Sequence, residues 1–204
     1  MKLIGMLDSP YVRRVAICAK LLKLDVEHDS ISVFSTYDQF AKINPVVKAP
    51  TLIADNGCCV MDSTVILQYL ATLAGPAQRL FPSRPDDALR TARLNGLALA
   101  ACEKTVQIVY ERNLRPAEKQ HEPWVERVRT QLLAAYGELE REVAASALPV
   151  DAEQFDAADV TVAVAWHFTQ MMLPEIVSPA GHPHLQAFSA AAEALPVFVE
   201  TPAQ

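Results

Sequence analysis

The sequence has few cysteines, and their spacing excludes two common uses of this residue. The four are Cys18, Cys58, Cys59 and Cys102, and they form neither a CxxC pair nor a cysteine–histidine pattern. Disulfide frameworks and structural zinc sites rely on regular spacings of that kind. We therefore expect no metal site, no disulfide framework and a reducing compartment, the cytoplasm.

Two further absences concern membranes and nucleic acids. No apolar run approaches the roughly 20 residues of a transmembrane helix, and Asp8 and Pro10 interrupt the first apolar run, which excludes a secretory leader there. The net charge is −6, and no stripe of Lys and Arg is present to neutralise a phosphate backbone. We expect a soluble protein that binds neither membranes nor nucleic acid.

The first 75 residues combine short apolar runs with helical repeats. Strands are predicted at residues 2–7, 26–31, 51–54 and 59–61, and helices from residue 10, over 36–43 and from residue 63. Asp55-Asn56-Gly57 predicts a tight hairpin, so the last two strands should be antiparallel. In the first helix Arg13 and Arg14 fall largely off the apolar stripe. Ser63 is predicted to cap the third helix.

The segment GPAQRLFPSRP, residues 75–85, is rich in proline and turn-forming residues and indicates a linker. Strand alternation is absent beyond it, and helices are predicted at about residues 87–113, 123–145, 156–172 and 183–194. We therefore expect an α/β first domain (residues 1–76), a linker (77–86) and an all-α second domain (87–204).

Three short motifs in the first half place polar groups where ligands bind well. Ser9 begins a helix, where free amides and the helix dipole favour an anion such as a thiolate, although serine is also a common cap. Pro50 directly precedes a strand, in a cis turn or an ordinary trans one. Asp62-Ser63 begins another helix and offers a carboxylate for an ammonium and amides with a hydroxyl for a carboxylate, or simply a cap.

The order of these motifs resembles the glutathione transferase family over nearly the whole chain. The matching segments are Ser9-Pro10-Tyr11-Val12-Arg13-Arg14, Asn44-Pro45 with Lys48-Ala49-Pro50, Asp62-Ser63 with Ile66-Leu67 and Tyr69-Leu70, and Leu195-Pro196 with Phe198. The resemblance implies a thioredoxin-like first domain, a helical-bundle second domain that forms the electrophile pocket, glutathione as co-substrate, no metal, and a homodimer.

The resemblance also implies roles for individual residues. Ser9 is expected to be catalytic, as the hydrogen-bond donor that stabilises the glutathione thiolate. Ala49-Pro50 is expected to have a cis bond, with the Ala49 backbone pairing with the cysteinyl part. Lys48 is expected to neutralise a glutathione carboxylate, and Asp62-Ser63 to hold the γ-glutamyl end.

The sequence departs from the family at several positions. Met6 and Leu7 stand where the tyrosine-type members carry their catalytic tyrosine. Ser9 stands where some relatives have cysteine, which argues against glutaredoxin-like exchange as the main activity because serine forms no mixed disulfide. Asp156 replaces the hydroxyl residue of a Ser/Thr-x-x-Asp capping box and is expected to cap in its place, with Asp159 as the last member.

The second-substrate pocket is the least specific prediction. Tyr11, Tyr110, Asn113 and Trp166 are candidates, because large side chains near helix ends face clefts, and core packing is the alternative for each. The expected activity is conjugation of glutathione to a small hydrophobic electrophile, a detoxification reaction. The alternatives are a non-catalytic binding protein of the same fold and a glutathione-dependent isomerase or thiol reductase.

Three other patterns are interpreted as structural. His182-Pro183-His184 lacks the further clustered ligands of a metal site and predicts a turn. Cys58-Cys59 straddles the two faces of a strand, so one thiol is expected to be exposed. The acidic run of residues 138–142 is typical of a solvated helix with one packed face.

Overall fold

The computed structural model describes residues 1–75 and 79–203. Within these, the chain forms two compact units: the first contains residues 1–75, 79–81, 152–154 and 194–203, and the second contains residues 82–151 and 155–193. The predicted boundary between residues 76 and 77, and the start of the predicted linker, lie outside the described residues. Residues 194–203, which the sequence assigned to the helical domain, group with the first unit.

The described elements follow the predicted order closely. They are β1 (Lys2–Ile4), α1 (Pro10–Leu21), β2 (Glu27–Asp29), α2 (Tyr37–Ile43), β3 (Thr51–Ile53), β4 (Cys59–Met61), α3 (Ser63–Ala74), α4 (Pro85–Asn113), α5 (Glu122–Ala145), α6 (Ala157–Met172), α7 (Pro183–Glu193) and α8 (Pro196–Val199). The predicted fold class, a mixed α/β part followed by helices, is confirmed. The short α8 was not predicted, because four residues give no readable helical period.

The first unit is built on a four-stranded mixed sheet with the order β2-β1-β3-β4. β1 pairs in parallel with β2, so β1, α1 and β2 form a βαβ unit. β1 also pairs antiparallel with β3, and β3 pairs antiparallel with β4, which confirms the predicted hairpin. Gly5 follows β1 with φ +136°, and a Cβ there would lie 2.7 Å from Val12 Cγ2 and 3.1 Å from Ala49 Cβ. This glycine lets the end of β1 approach both α1 and the segment that contains Ala49.

Both arginines of α1 are buried, although they fall off its apolar stripe. Arg13 and Arg14 are each 2% exposed. The Arg13 Nε atom donates to the Thr201 carbonyl at 2.8 Å, and its guanidinium lies 5.6 Å from the Phe198 ring centroid. These contacts with residues 198 and 201 explain the burial of Arg13, because a buried guanidinium needs hydrogen-bond acceptors, and the periodicity of one helix does not reveal distant ones. Arg14 instead donates to the hydroxyls of Ser63 and Thr64.

The cap of α3 is Asp62, which corrects the prediction that Ser63 caps this helix. The Asp62 carboxylate accepts hydrogen bonds from the amides of Thr64 at 2.9 Å and Val65 at 3.4 Å. Asp62 has φ +75°, in the left-handed region where aspartate and asparagine are among the better-tolerated residues. Ser63 is therefore the first helical residue, and its hydroxyl is not used as a cap.

The second unit consists of α4, α5, α6 and α7, with α6 as its most buried helix. Glu140 on α5, within the acidic run expected to be solvated, instead caps α7. It accepts from the amides of His184 and Leu185, both at 3.0 Å, and from the His184 ring at 2.7 Å. Burial raises the pKa of Glu140, but these hydrogen bonds outweigh it and the pKa is lowered.

The predicted aspartate capping box at the start of α6 is confirmed. The Asp156 carboxylate accepts from the amides of Ala158 (2.6 Å) and Asp159 (3.1 Å), and Asp159 Oδ2 accepts from the Asp156 amide at 2.9 Å. The Thr91 hydroxyl also donates to Asp156. Burial, followed by the nearby charge of Asp156, raises the pKa of Asp159 from 3.8 to about 7.

This raised pKa predicts a pH-dependent effect of replacing Asp159. The folded protein holds the proton more tightly than the unfolded chain, so the cost of ionising this carboxyl is absent below pH 3.8 and complete above about pH 7. Asp159→Asn removes the charge but keeps an acceptor for the Asp156 amide. Its free energy of unfolding, relative to the parent, should therefore be higher at pH 8 than at pH 5.

Urea denaturation at both pH values measures this difference. Asp86→Asn is the matched control, because Asp86 is an exposed carboxylate in the first turn of α4. The control variant should differ from the parent by the same amount at pH 5 and pH 8. An equally constant difference for Asp159→Asn would contradict the raised pKa.

Candidate functional site

The side-chain hydroxyl of Ser9, at the N-terminus of α1, does not cap this helix. Ser9 is the N-cap residue and is half-buried, but its side chain makes no capping hydrogen bond. Within the described parts of the chain its hydroxyl has no partner, while its amide donates to the Met6 carbonyl at 3.2 Å. The hydroxyl is thus an unused hydrogen-bond donor at the positive end of the helix dipole.

A carboxyl group directly precedes this serine. Burial raises the pKa of Asp8, and hydrogen bonds from the backbone amides of Ser9 and of Asp8 itself offset part of that rise. Its negative charge is therefore less favourable than that of an ordinary surface aspartate.

The segment before β3 has the predicted cis peptide bond between Ala49 and Pro50. It is anchored by Asn44, which is 2% exposed and whose Nδ2 donates to the Thr51 hydroxyl at 2.8 Å. The Thr51 hydroxyl donates in turn to the Lys48 carbonyl at 2.7 Å. In the sequence, Asn44 was identified only as part of a segment that resembles the family, and no role was predicted for it. In the structure, its side chain anchors the loop that contains Lys48.

Lys48 and Asp62 are brought together at the start of α3. Their Nζ and Oδ2 atoms are 3.9 Å apart, and their side chains are 54% and 50% exposed. An exposed pair at this distance contributes little to stability. Both charges are therefore accessible to a ligand that carries an ammonium and a carboxylate.

Arg14 connects α1 with α3 and was not predicted as a site residue. Its Nη1 atom donates to the Ser63 hydroxyl at 2.9 Å and to the Thr64 hydroxyl at 3.3 Å. The only signal in the sequence is its position in α1, five residues after Ser9. The residues that predict the start of α3 do not indicate which arginine packs against that helix.

The four residues predicted for the second substrate have different environments. Tyr110 is 44% exposed and Asn113 is exposed, both near the end of α4, and Tyr11 is half-buried in the first turn of α1. Trp166 is 2% exposed, its Nε1 donates to Gln186 Oε1 at 2.9 Å, and its ring packs edge-on against Tyr136. These are the contacts of a core side chain, which is the alternative stated for Trp166 in the sequence analysis.

The neighbouring cysteines Cys58 and Cys59 are poorly suited to act as nucleophiles. Both thiols are exposed, whereas only one was expected to be. Burial, together with the nearby Cys58, raises the pKa of the Cys59 thiol, which disfavours a thiolate nucleophile there.

Across residues 1–75 and 79–203 no group of three or more His, Cys, Asp or Glu is placed to hold a metal ion. None of the helices described in the same residues has the length and apolar character needed to cross a membrane.

Two family models match the chain, one in each half. The model described as "Glutathione S-transferase, N-terminal domain" matches residues 3–78, and the one described as "Glutathione S-transferase, C-terminal domain" matches residues 122–191. Together they span more than half of the chain. The first match contains Ser9, Lys48, Asp62 and the cis bond.

Individual relatives agree with these models. A curated relative, the uncharacterized GST-like protein YibF of Escherichia coli (strain K12), is 27% identical over 166 residues, 81% of each chain. A glutathione S-transferase of Methylobacterium radiotolerans in complex with glutathione sulfonate has a TM-score of 0.87 and 27% identity, covering 98% of this chain and 93% of that one. A Pseudomonas fluorescens Pf-5 family member with bound S-(propanoic acid)-glutathione has a TM-score of 0.80 and 29% identity, covering 98% of each.

Proposed function

Since this chain belongs to the glutathione transferase family, we propose that it binds glutathione in its first unit and conjugates the thiol to a small hydrophobic electrophile. The two similar solved structures contain glutathione derivatives. The observation that carries the proposal for this chain is the Ser9 hydroxyl, which lies at the start of α1 and does not cap it. A serine that served only the helix would use its oxygen for that purpose.

The proposed chemistry needs a donor, not a base, at Ser9. A cysteine thiol with a pKa of about 8.5 is mostly protonated at neutral pH. A hydrogen bond from the Ser9 hydroxyl and the dipole of α1 stabilise the thiolate and lower that pKa, and the proton leaves to water. The thiolate sulfur then forms a bond to the electrophilic carbon, and either a leaving group departs with its electron pair or, in an addition, the product takes a proton from water.

The charges near the start of α3 match the remaining ends of the tripeptide. The Asp62 carboxylate would accept from the γ-glutamyl ammonium, and the Ser63 amide and hydroxyl would donate to the neighbouring carboxylate. Lys48 would pair with a carboxylate, at the cost of only a loose contact with Asp62. The Ala49 backbone would hydrogen-bond the cysteinyl part and so hold the sulfur near Ser9.

The finer parts of the function are proposals of the same kind. Tyr110, Asn113 and Tyr11 are the proposed contacts of the electrophile, and detoxification in the cytoplasm by a homodimer is the proposed setting. Ser9 in place of cysteine weighs against thiol–disulfide exchange. An isomerase would use the same stabilised thiolate, so only the reaction itself separates isomerisation from conjugation.

Calorimetric titration of the purified protein with glutathione, beside a conjugation assay with 1-chloro-2,4-dinitrobenzene and a panel of other electrophiles, tests the proposal. Saturable binding with turnover supports it. Binding without turnover on any electrophile would overturn conjugation and leave a glutathione-binding protein or an isomerase. No binding would overturn the proposal altogether and favour a protein that keeps the fold for another purpose.

A further inference from the structure

The buried guanidinium of Arg14 lies at the positive end of a helix. Arg14 is 2% exposed and donates to the hydroxyls of Ser63 and Thr64, the first two residues of α3. A helix N-terminus carries about half a positive charge, and the Arg14 guanidinium adds to the positive field that favours an anion at the start of α3. Little solvent reaches a group this buried, so its field is weakly screened.

The capping aspartate leaves one strong donor group open on this turn. Asp62 occupies the amides of Thr64 and Val65. The Ser63 amide has no acceptor anywhere in residues 1–75 or 79–203. The free backbone donor at the start of α3 is therefore on the residue that Arg14 contacts.

The direction of the Arg14 hydrogen bond fixes what the Ser63 hydroxyl does. Guanidinium nitrogens only donate, so the Ser63 oxygen accepts, and its single hydrogen must point elsewhere. In the described chain no acceptor meets this hydrogen, although Ser63 is only 4% exposed. The hydroxyl and the amide of Ser63 are thus two adjacent unused donors, a pair that suits the two oxygens of a carboxylate.

Resting on the proposed function, we propose that Arg14 is a positioning residue that makes the start of α3 selective for the α-carboxylate at the γ-glutamyl end of glutathione. Arg14 acts through Ser63 and does not touch the ligand. It holds the Ser63 oxygen so that the hydroxyl hydrogen faces the carboxylate, and its buried charge strengthens the attraction. The ammonium of the same group is recognised separately, by Asp62.

Two peptides separate this role from a merely structural one. Glutathione and 4-aminobutyryl-cysteinyl-glycine differ only in the α-carboxylate in question. The parent protein should bind glutathione at least tenfold more tightly than the analogue. In Arg14→Gln, the Kd for glutathione should rise about tenfold and that for the analogue less than twofold. Arg14→Lys, which keeps the charge but loses the planar fork, should fall between the parent and Arg14→Gln.

The neighbouring arginine provides the control. Arg13 is equally buried on the same helix, but its Nε donates to the Thr201 carbonyl. Arg13→Lys should therefore change the Kd of both peptides by the same factor. All variants are compared by calorimetry after circular dichroism has shown that they fold.

Each outcome of the binding comparison supports or contradicts the role proposed for Arg14. An equal loss for both peptides in Arg14→Gln would show a structural role and overturn the inference. If Arg14→Gln does not fold, Arg14→Lys is judged by the same comparison. A parent protein that binds glutathione without distinguishing it from the analogue overturns the inference alone. A parent that does not bind glutathione overturns the proposed function, and the inference falls with it.

Discussion

Ser9→Ala is expected to lower kcat for conjugation by about 10- to 100-fold, while the Kd for glutathione changes by less than about threefold. The variant loses one hydrogen bond to a charged sulfur, an interaction of roughly 1.5–3 kcal/mol. Most of the contacts proposed for glutathione lie elsewhere, on Lys48, Ala49 and α3, and are unchanged. Because the Ser9 side chain does not cap α1, the substitution should leave the helix intact.

The pH profile of the Ser9 variant gives an independent measurement. The kcat/KM for the electrophile, measured at saturating glutathione, reports the pKa of the bound glutathione thiol. If the Ser9 hydroxyl stabilises the thiolate, this pKa should rise toward that of free glutathione when the hydroxyl is removed. Ser35→Ala is the matched control, since Ser35 is exposed in the segment before α2, and should behave as the parent does. Equal kcat and an unchanged pH profile in Ser9→Ala would remove Ser9 from the mechanism.

Asp62→Asn is expected to weaken glutathione binding by about 10- to 100-fold, with kcat at saturation nearly unchanged. The substitution removes the negative charge proposed to hold the γ-glutamyl ammonium, a charge-assisted hydrogen bond of roughly 1.5–3 kcal/mol. Asparagine caps helices about as well as aspartate and tolerates the observed φ of +75°. The variant therefore isolates the charge from the fold of α3.

A ligand that lacks only the ammonium checks this assignment. Glutaryl-cysteinyl-glycine should bind the parent and Asp62→Asn with similar Kd values, because it has nothing for the carboxylate to hold. Asp38→Asn, which changes an exposed aspartate in the first turn of α2, should leave both Kd values as in the parent. An unchanged Kd for glutathione in Asp62→Asn would show that its γ-glutamyl end binds elsewhere.

The fold was predictable from sequence where its signals are local. The hairpin at residues 55–57, the long period of α4 and the Asp156 cap all depend on residues within a few positions of one another. The strands and helices they predicted agree with the structure to within a few residues. Local order also sufficed to find Ser9 and Asp62 as candidates, because both stand at helix starts.

Contacts between distant residues were not predictable in this way. Arg14 meets Ser63 across 49 positions and Arg13 meets Thr201 across 188, and no periodicity in α1 reports either partner. The same holds for Glu140, whose partner His184 is 44 positions away. A charged residue off an apolar stripe is expected in solvent, and only the tertiary acceptor shows that it is buried instead.

The contact of Arg13 with Thr201 also has a consequence for synthesis of the protein. The two residues are 188 positions apart, and a ribosome adds roughly 5–20 residues per second, so Thr201 follows Arg13 by about 10–40 s. During that interval the nascent α1, which carries Ser9, lacks the carbonyl and the Phe198 ring that cover Arg13 in the finished unit. The sheet and α3 emerge early, but the helix that bears the proposed catalytic hydroxyl gains its last partner only after the whole second unit has been translated.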